Sequence, residues 1–443
     1  MLFSKKDLQK LIIPLMFEQL LAVSVGMVDT LMVSQAGEAA ISGVALVDNI
    51  NRLIIQVMAA LATGGAVVCS QFVGKGKEEG AKKSGAQLET VLLVFSVCMT
   101  LLSLIGTRGL LHAVFGNVSE DVMDSAVLYF TVTSLSFPFL GIYNAGAAIF
   151  RSIGNSKISM QISLLMNVIN IVGNAIFVFG FHWAVFGVAL ATLLSRIVAG
   201  IVITLLVCGK TNPIRIDKWS ELKPDGSIIK KILAIGIPSG VENGMFQIGK
   251  LAVTSMVATF GTASIAANSV GYTVIDFANI PGNAMGLALI TVVGQCIGAG
   301  EKKQAKQYTK KLVGLAYLGD WICNIALFLL AGTIAKCFHL SPEAVRIAEQ
   351  ILHCFAVTSL FIWPVSFNLS NALRAAGDAT FTMIVSIASM WIFRVGSSYF
   401  FGIVLQMGVL GIWIGMFVDW GARSALFGWR FLSGKWLQRK ALA

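Results

Sequence analysis

Five polar side chains in the first half of the chain have the types and spacing of a small cation site. Asn167, Asn170 and Asn174 are three and four residues apart, which places their carboxamides on one stripe of a helix. Asp29 lies in an apolar segment, and Thr192 follows Asn174 across a short turn at a similar depth. Oxygen donors at one level of a helical bundle suit a small hard cation or a proton. Because asparagines between membrane helices also act as packing contacts, the stripe alone leaves both interpretations open.

These residues belong to a chain whose second half repeats its first. Pro14 and Glu18 recur as Pro238 and Glu242, a shift of 238 − 14 = 224. The repeated motifs are PLMFEQ and PSGVEN, QFVGKG and QCIGAG, and, with slippage by one or two residues, RSIG and RAAG. Internal repeats in a membrane protein are typical of transporters whose substrate path lies between the two copies.

The repeat also relates charged residues inside apolar segments, where an ionisable side chain is costly and therefore a functional candidate. Glu18 lies about three turns before Asp29 on the same helical face, and Glu242 is its counterpart. We expect both glutamates at a substrate cavity or a secondary proton site, with helix–helix hydrogen bonding as the alternative. Arg52 and Asp276 are equivalent, since 52 + 224 = 276, and are predicted to form a latch between the halves, with substrate contact as the alternative.

Composition indicates how these residues are positioned. The chain is 56% hydrophobic and 12% charged, against about 25% charged in soluble proteins. A membrane-spanning helix needs about 20 apolar residues. Twelve such segments are predicted: 11–34, 44–72, 86–107, 123–150, 158–180, 186–208, 232–259, 265–297, 312–335, 347–373, 380–405 and 408–431. The predicted fold is therefore an all-α polytopic membrane protein without a large soluble domain.

The distribution of lysine and arginine predicts the topology. These residues concentrate in alternate loops, including 75–83 and 302–311, so the positive-inside rule places both termini in the cytoplasm of a plasma-membrane protein. The net charge of +11 then reflects topology and not nucleic-acid binding. Six spans per half give two lobes of the same orientation, related by a pseudo-two-fold axis along the membrane normal. We expect lobes at 1–208 and 232–443, joined by a cytoplasmic linker at 209–231.

Several other function classes lack their signatures. The seven cysteines form no CxxC motif and the four histidines no HExxH motif, so neither a metal site nor a cofactor is expected beyond a coupling ion. An intramembrane enzyme is disfavoured because no nucleophile–base set, paired catalytic aspartates or Walker motif is present. A major-facilitator transporter is disfavoured because the loop at 74–83 reads GKGKEEGAKK and not G-x-x-x-D-R-x-G-R.

The combination of motifs resembles the multidrug and toxic compound extrusion (MATE) family over the whole chain. The matching motifs are VDTLMVS around Asp29, the paired glycine motifs with their basic loops, FRSIGNSK, LRAAGDAT, and the span-5 asparagines followed by GVALAT. The resemblance implies two lobes that open alternately to either side, and efflux of organic compounds driven by Na⁺ or H⁺ entry. It places the amino-lobe cation site on Asp29, Asn170, Asn174 and Thr192.

The chain departs from the family pattern at three positions. Asn174 stands where some members have a second aspartate, Phe246 where many have a glutamate, and Trp363 near the site of an aspartate in some bacterial members. The coupling ion and a cation site in the carboxyl lobe therefore remain open. A lipid-linked precursor flippase of the same superfamily is the alternative function, disfavoured by the twelve spans and by the acids at 18, 29 and 242. The expected partners are small organic molecules and the lipid bilayer, and the protein is expected to be a monomer.

Overall fold

The structure is a computed structural model that describes the backbone of residues 2–33, 38–116, 118–210, 212–216, 219–338 and 340–443. The side chains of residues 25–31, 33, 38, 219 and 220 are outside this description. Throughout the described ranges the regular structure is helical, with no strand.

Fifteen helices follow one another along these ranges. They are α1 (Lys5–Val33), α2 (Glu38–Gly74), α3 (Glu78–Ile105), α4 (Thr107–Phe115), α5 (Glu120–Ser134), α6 (Phe137–Ser152), α7 (Ser156–Gly180), α8 (Ala184–Val207), α9 (Gly226–Ala258), α10 (Thr262–Ala278), α11 (Ile280–Gly298), α12 (Lys302–Cys337), α13 (Pro342–Ala375), α14 (Ala379–Val404) and α15 (Gly408–Leu432).

The sequence repeat extends to the bounds of these helices. Adding 224 to the first and last residues of α2 gives 262 and 298, the first residue of α10 and the last of α11. The helices α7 and α14 both end in a π-helical turn, Ala175–Gly180 and Tyr399–Val404, and the same shift relates them because 175 + 224 = 399. The two halves therefore have equivalent secondary structure down to single helical turns.

Left-handed turn residues recur with the same spacing. Gly76 and Gly300 have φ angles of 71° and 76°, and each is the last residue of a glycine motif that begins inside a helix, α2 or α11, and ends just beyond it. His182 and Gln406 have φ angles of 57° and 54°, and each lies two residues after the end of a π-helical turn. Non-glycine residues rarely adopt this conformation, so its repetition shows that both halves close the same hairpin in the same way.

The lengths and composition of the helices fit a membrane protein. Among the described residues, eight helices are long and apolar enough to span a bilayer, and the pair α5–α6, bent by 46°, is a ninth candidate. The helices α1, α9 and α15 complete the twelve spans. Charged residues such as Glu242 in α9 and Asp419 in α15 reduce their apolar character.

The chain divides into two compact units, each with its own core. The first unit is Lys5–Gly240 and the second is Val241–Leu442, so the division falls inside α9. The second unit has an apolar core between α10, α12, α13 and α15, in which Trp413 and Phe355 are buried. The backbone of Phe3, at the amino terminus, also belongs to the second unit and is hydrogen-bonded to the Tyr308 hydroxyl.

Candidate functional site

The first unit contains a buried chain of hydrogen-bonded polar side chains between α7 and α8. The Asn170 Nδ2 atom donates to the Thr192 Oγ1 atom at 3.2 Å. The Asn174 Nδ2 atom donates in turn to the Asn170 Oδ1 atom at 3.3 Å. All three side chains are buried. The structure therefore brings together three of the four residues that were expected to hold a cation.

The face of α7 that carries these amides is turned into the helix bundle. Asn167 is also buried on that face, whereas Val168 and Val172, on the other side of the helix, are about half exposed. This arrangement is the reverse of a helix in a soluble protein, because lipid solvates the apolar face and the polar groups need partners inside the bundle. It explains why a polar stripe stands in an otherwise apolar segment.

The π-helical turn begins immediately after Asn174. Such turns widen the helix by one residue and occur frequently at functional sites. Beyond it, Phe177 and Phe181 stack on Trp183, with ring centroids 5.7 and 5.0 Å from the indole. This aromatic cluster fills the end of the hairpin between α7 and α8 next to the polar chain.

Asp29 lies in α1, which packs against α7 in the same unit. Its side chain is outside the described residues. The participation of Asp29 in the polar cluster therefore stays a prediction.

The glutamates Glu18 and Glu242 are each paired with an arginine inside their own unit. The Arg151 Nη1 atom lies 2.9 Å from the Glu18 Oε1 atom, and the Ser159 hydroxyl donates to Glu18 Oε2 at 2.7 Å. The Arg374 Nη2 atom donates to the Glu242 Oε1 atom at 2.6 Å. Both carboxylates are buried and their charges are compensated locally.

These two arginines were visible in the sequence only as parts of repeated motifs. Arg151 begins RSIG and Arg374 begins RAAG, and their glutamate partners lie in the other repeated motif, PLMFEQ or PSGVEN. Since both members of a pair recur together, the repeat itself was the available signal for the contact. A role for the glutamates in a cavity or in proton transfer stays a prediction.

The residues of the predicted latch lie on helices of different units. Arg52 is on α2 and Asp276 is on α10, and both side chains are exposed. Their pairing stays a prediction that a charge swap can test.

The second unit carries a fixed positive charge at the position that corresponds to Asn170. Since 170 + 224 = 394, that position is Arg394, which is buried and has its Nε atom 3.1 Å from Asp419 Oδ2. Arg423 approaches the other oxygen of Asp419 at 2.9 Å, and the Ser389 hydroxyl donates to the same oxygen. Two buried arginines share one aspartate, so the cluster has a formal charge of +1.

The guanidinium groups of this cluster also contact an aromatic ring. Arg394 and Arg423 lie 4.9 and 5.3 Å from the centroid of Phe246, within the range of cation–π attraction. Phe246 is the position at which many relatives were expected to carry a glutamate. The ring therefore provides, without a formal charge, part of the stabilisation that an acid would give to the arginines.

The comparisons with known proteins agree with the repeated architecture. The family model for MatE matches the chain twice, at residues 14–176 and 238–400, and these two matches are related by the same shift of 224. The chain belongs to the MATE family of transporters. The resemblance inferred from the motifs is thereby confirmed.

The similar proteins cover almost the entire chain. One is "Probable multidrug resistance protein NorM" of Thermotoga maritima, which is 27% identical over 99% of this chain and 94% of its own length. Another is "Uncharacterized transporter YisQ" of Bacillus subtilis, with 27% identity over 96% of this chain and 94% of its own. These proteins match the MATE chain from its first helices to its last.

Solved structures of transporters share the fold. The outward-facing structure of a multidrug resistance MATE transporter of the MOP superfamily has a TM-score of 0.92 at 22% identity, over 98% of this chain and 97% of its own. A MOP superfamily transporter from Pyrococcus furiosus, described as having a binding pocket of reverse polarity, has a TM-score of 0.86 at 23% identity, with the same shares covered. The predicted all-α fold with twelve membrane helices in two lobes is thereby confirmed.

Proposed function

We propose that this MATE protein is a secondary antiporter that exports cationic or amphipathic organic compounds in exchange for Na⁺ or H⁺. The observation that carries the proposal is the buried chain from Asn174 through Asn170 to Thr192, in the same unit as Asp29. These hydrogen-bonded side chains bring several oxygen atoms together inside the membrane, where the lipid environment otherwise disfavours polar groups. The names of relatives that refer to multidrug resistance support organic compounds as the substrates.

The need for a coupling ion follows from the direction of transport. The membrane potential draws cations inward and is worth about 2.3 kcal/mol per charge per 100 mV. An exporter of a monovalent cation works against this potential and therefore requires an exchanged ion. Asp29, towards the outer end of α1, is the proposed coupling carboxylate, and the amides and Thr192 supply further oxygens to the ion.

Binding of the ion and of the substrate then oppose each other. A cation or proton on Asp29 removes the negative charge that retains a cationic substrate, and each ligand favours a different conformation. Loading from outside promotes release of the substrate outside, and unloading into the cytoplasm restores the site. Alternating access of the two lobes to the two sides of the membrane completes the cycle.

Two observations favour the flippase alternative. The cluster of Arg394, Arg423 and Asp419 gives the second unit a buried excess of positive charge. Glu18 and Glu242, whose acidity argued for a cationic substrate, are compensated by Arg151 and Arg374. The arginine cluster attracts a phosphate-bearing lipid, and the two compensated glutamates do not repel it.

Transport in everted membrane vesicles with one ion gradient at a time tests the proposal. We expect a cationic dye to accumulate when either a Na⁺ or a proton gradient is imposed, and Asp29→Asn to abolish this accumulation without loss of membrane insertion. Dye binding to purified protein should weaken when the coupling ion is added. If neither ion alters transport or the dye's apparent affinity, and the protein moves a lipid-linked phosphate instead, the antiporter proposal is wrong.

A further inference from the structure

A further buried carboxyl group, that of Asp320, lies in the middle of α12. Asp320 is fully buried, with 0% of its surface exposed. Neither of its carboxylate oxygens has a hydrogen-bond partner among the described residues. An isolated ionised carboxylate in a low-dielectric environment is so costly that such a group normally becomes neutral or acquires a cation.

Asn324, one turn later on the same helical face, also has a buried oxygen without a hydrogen-bond donor among the described residues. Asn324 is also fully buried, and its Nδ2 atom donates to the Asp320 backbone carbonyl at 2.8 Å and is 3.5 Å from the Ser359 hydroxyl oxygen. Its carbonyl oxygen, Oδ1, has no donor within the described part of the chain. Buried polar atoms in native proteins nearly always have partners. Counting described residues only, the site therefore has three acceptor oxygens that lack a donor.

In the part of the chain that the structure describes, the helices around the site provide no positive charge that would compensate the Asp320 carboxylate. From α11, the backbone N–H of Gly282 lies near the Asp320 carboxyl group, and on α13 the Ser359 hydroxyl lies near the Asn324 amide. On α12 itself, the titratable neighbours are Tyr317 and Cys323. The Tyr317 hydroxyl already donates to the Phe361 carbonyl at 2.6 Å. Within the described residues, no lysine, arginine or histidine interacts electrostatically with Asp320.

One proton provides the missing donor. A protonated Asp320 is neutral, and its O–H can reach the Asn324 carbonyl because residues four apart on a helix are neighbours. We propose that Asp320 is a proton-binding residue of the second unit, protonated in this conformation with Asn324 as acceptor, and that it releases the proton during the transport cycle. This inference rests on the proposed ion-coupled export and adds a second coupling position to it.

The first unit shows that the fold itself does not require an acid at this position. Subtracting 224 gives Ser96 for Asp320 and Thr100 for Asn324. The Ser96 hydroxyl donates to the Leu93 carbonyl at 3.0 Å, and the Thr100 hydroxyl donates to the Ser134 carbonyl at 2.9 Å. Each hydroxyl carries its own proton and is satisfied by backbone. In the second unit, a carboxyl group and an amide replace these two hydroxyls, and their unpaired oxygens need a proton taken from solvent.

Infrared spectroscopy of the purified full-length protein tests the proton directly. In H₂O and D₂O at neutral pH, the wild type should show a deuterium-sensitive carbonyl band of a protonated carboxyl group. The band should disappear in Asp320→Asn and remain in Asp29→Asn. Asn324→Ala keeps the Asp320 carboxyl group but removes the carbonyl that accepts its hydrogen bond. The band should then move to higher frequency, because the carboxyl group is less strongly hydrogen-bonded. This variant serves if Asp320→Asn does not fold.

Transport provides the second readout. Proton-driven dye efflux should be lost in Asp320→Asn and retained in Ser366→Ala, which removes a buried hydroxyl of α13 without a bonding partner in the described structure. The proposal is overturned if the wild type has no such band, if the band survives in Asp320→Asn, or if efflux keeps its pH dependence in that variant. Loss of the band on adding Na⁺ would show that Na⁺ displaces the bound proton from Asp320, which supports an ion-exchanging carboxyl group at this position. The spectroscopic result does not depend on export, so failure of the antiporter proposal is distinguishable from failure of this one.

Discussion

Glu242 and Arg374 form a buried ion pair, 2.6 Å between Oε1 and Nη2, that is the repeat counterpart of the 2.9 Å pair between Glu18 and Arg151. Each pair joins the first long helix of a half to the helix that ends in the RSIG or RAAG motif. Two sequence motifs that looked independent are therefore the two sides of one contact. The same contact was kept in both halves although most other side chains differ.

Replacing one partner of such an ion pair should lower the unfolding free energy more than replacing both partners. Arg374→Met leaves Glu242 buried and uncompensated, so we expect a loss of about 3–5 kcal/mol in unfolding free energy. The double variant Arg374→Met/Glu242→Met should recover most of this loss, because no buried charge remains. Chemical unfolding in detergent measures both. Strictly additive losses in the double variant would show that the pair is not coupled.

Asn170 should be required for the effect of the ion on dye binding. Asn170→Leu removes the amide that links Asn174 to Thr192, so added Na⁺ or protons should no longer weaken dye binding. In the wild type, coupling of this kind is typically about 5–150-fold in affinity. Fluorescence titration of purified protein measures it. Val168→Leu, on the exposed side of the same helix, is the matched control and should keep the wild-type response.

Asp419 should be essential for the stability of the second unit. Asp419→Asn leaves Arg394 and Arg423 as two buried like charges, and we expect a loss of about 3–5 kcal/mol. Adding Arg394→Asn, the residue that the first unit has at the equivalent position, should restore part of the stability. Thermal unfolding in detergent is the measurement.

An exposed ion pair provides the control for this experiment. Asp124 lies 3.3 Å from Arg108, and both side chains are more than half exposed. Asp124→Asn should change stability by less than about 1 kcal/mol, because solvent screens the pair. A similar loss in Asp124→Asn and Asp419→Asn would contradict the argument from burial.

Close packing of α2 and α9 should depend on glycine. A Cβ atom on Gly64 would lie 2.4 Å from the Ile232 carbonyl oxygen and 2.8 Å from the Gly236 nitrogen, both backbone atoms that cannot rotate away. Gly64→Ala should therefore cost about 1–3 kcal/mol, as overpacking typically does. Melting temperature in detergent reports the change. Gly244→Ala, in α9 with no atom near its added methyl group, should be neutral or stabilising.

Asp225 should give the protein a stability component that is lost in acid. Its carboxylate accepts the backbone N–H groups of Ser227 and Ile228 before the first turn of α9. The Ser227 N–H, as the largest cause, lowers the pKa of Asp225 below the usual 3.8. The stabilisation is thus present above the unfolded-state pKa and lost as pH falls through the lower folded-state pKa. The stability difference between wild type and Asp225→Ala, measured by chemical unfolding in detergent at a series of pH values, should shrink over that window. A difference that stays constant in acid would contradict the argument.

The sequence by itself determined the class and the plan of the protein. Apolar segments long enough to span a bilayer must become helices, because lipid offers no partner to an unpaired backbone group. The repeat, with a shift of 224 for most of its motifs, predicted equivalent halves. The structure shows that the same shift also relates the π-helical turns and the left-handed residues His182 and Gln406. These features follow from local spacing and composition, which are read along one helix at a time.

The asparagine stripe was an intermediate case. Helical periodicity placed Asn170 and Asn174 on one face, and the hairpin placed Thr192 at their depth. Whether these groups touched depended on how α7 packs against α8. The structure supplied that contact as two hydrogen bonds.

Only the tertiary structure decided which charges are compensated and which are not. Glu18, Glu242, Asp320 and Asp419 were all acids in apolar segments, and only Asp419 has an arginine within one helical turn in the sequence. Glu18, Glu242 and Asp419 each have an arginine partner on another helix, and Asp419 has a second one a single turn along its own helix. Asp320 is buried without one among the described residues. Pairing of buried charges depends on the packing of helices far apart along the chain, so it is decided by the assembled bundle.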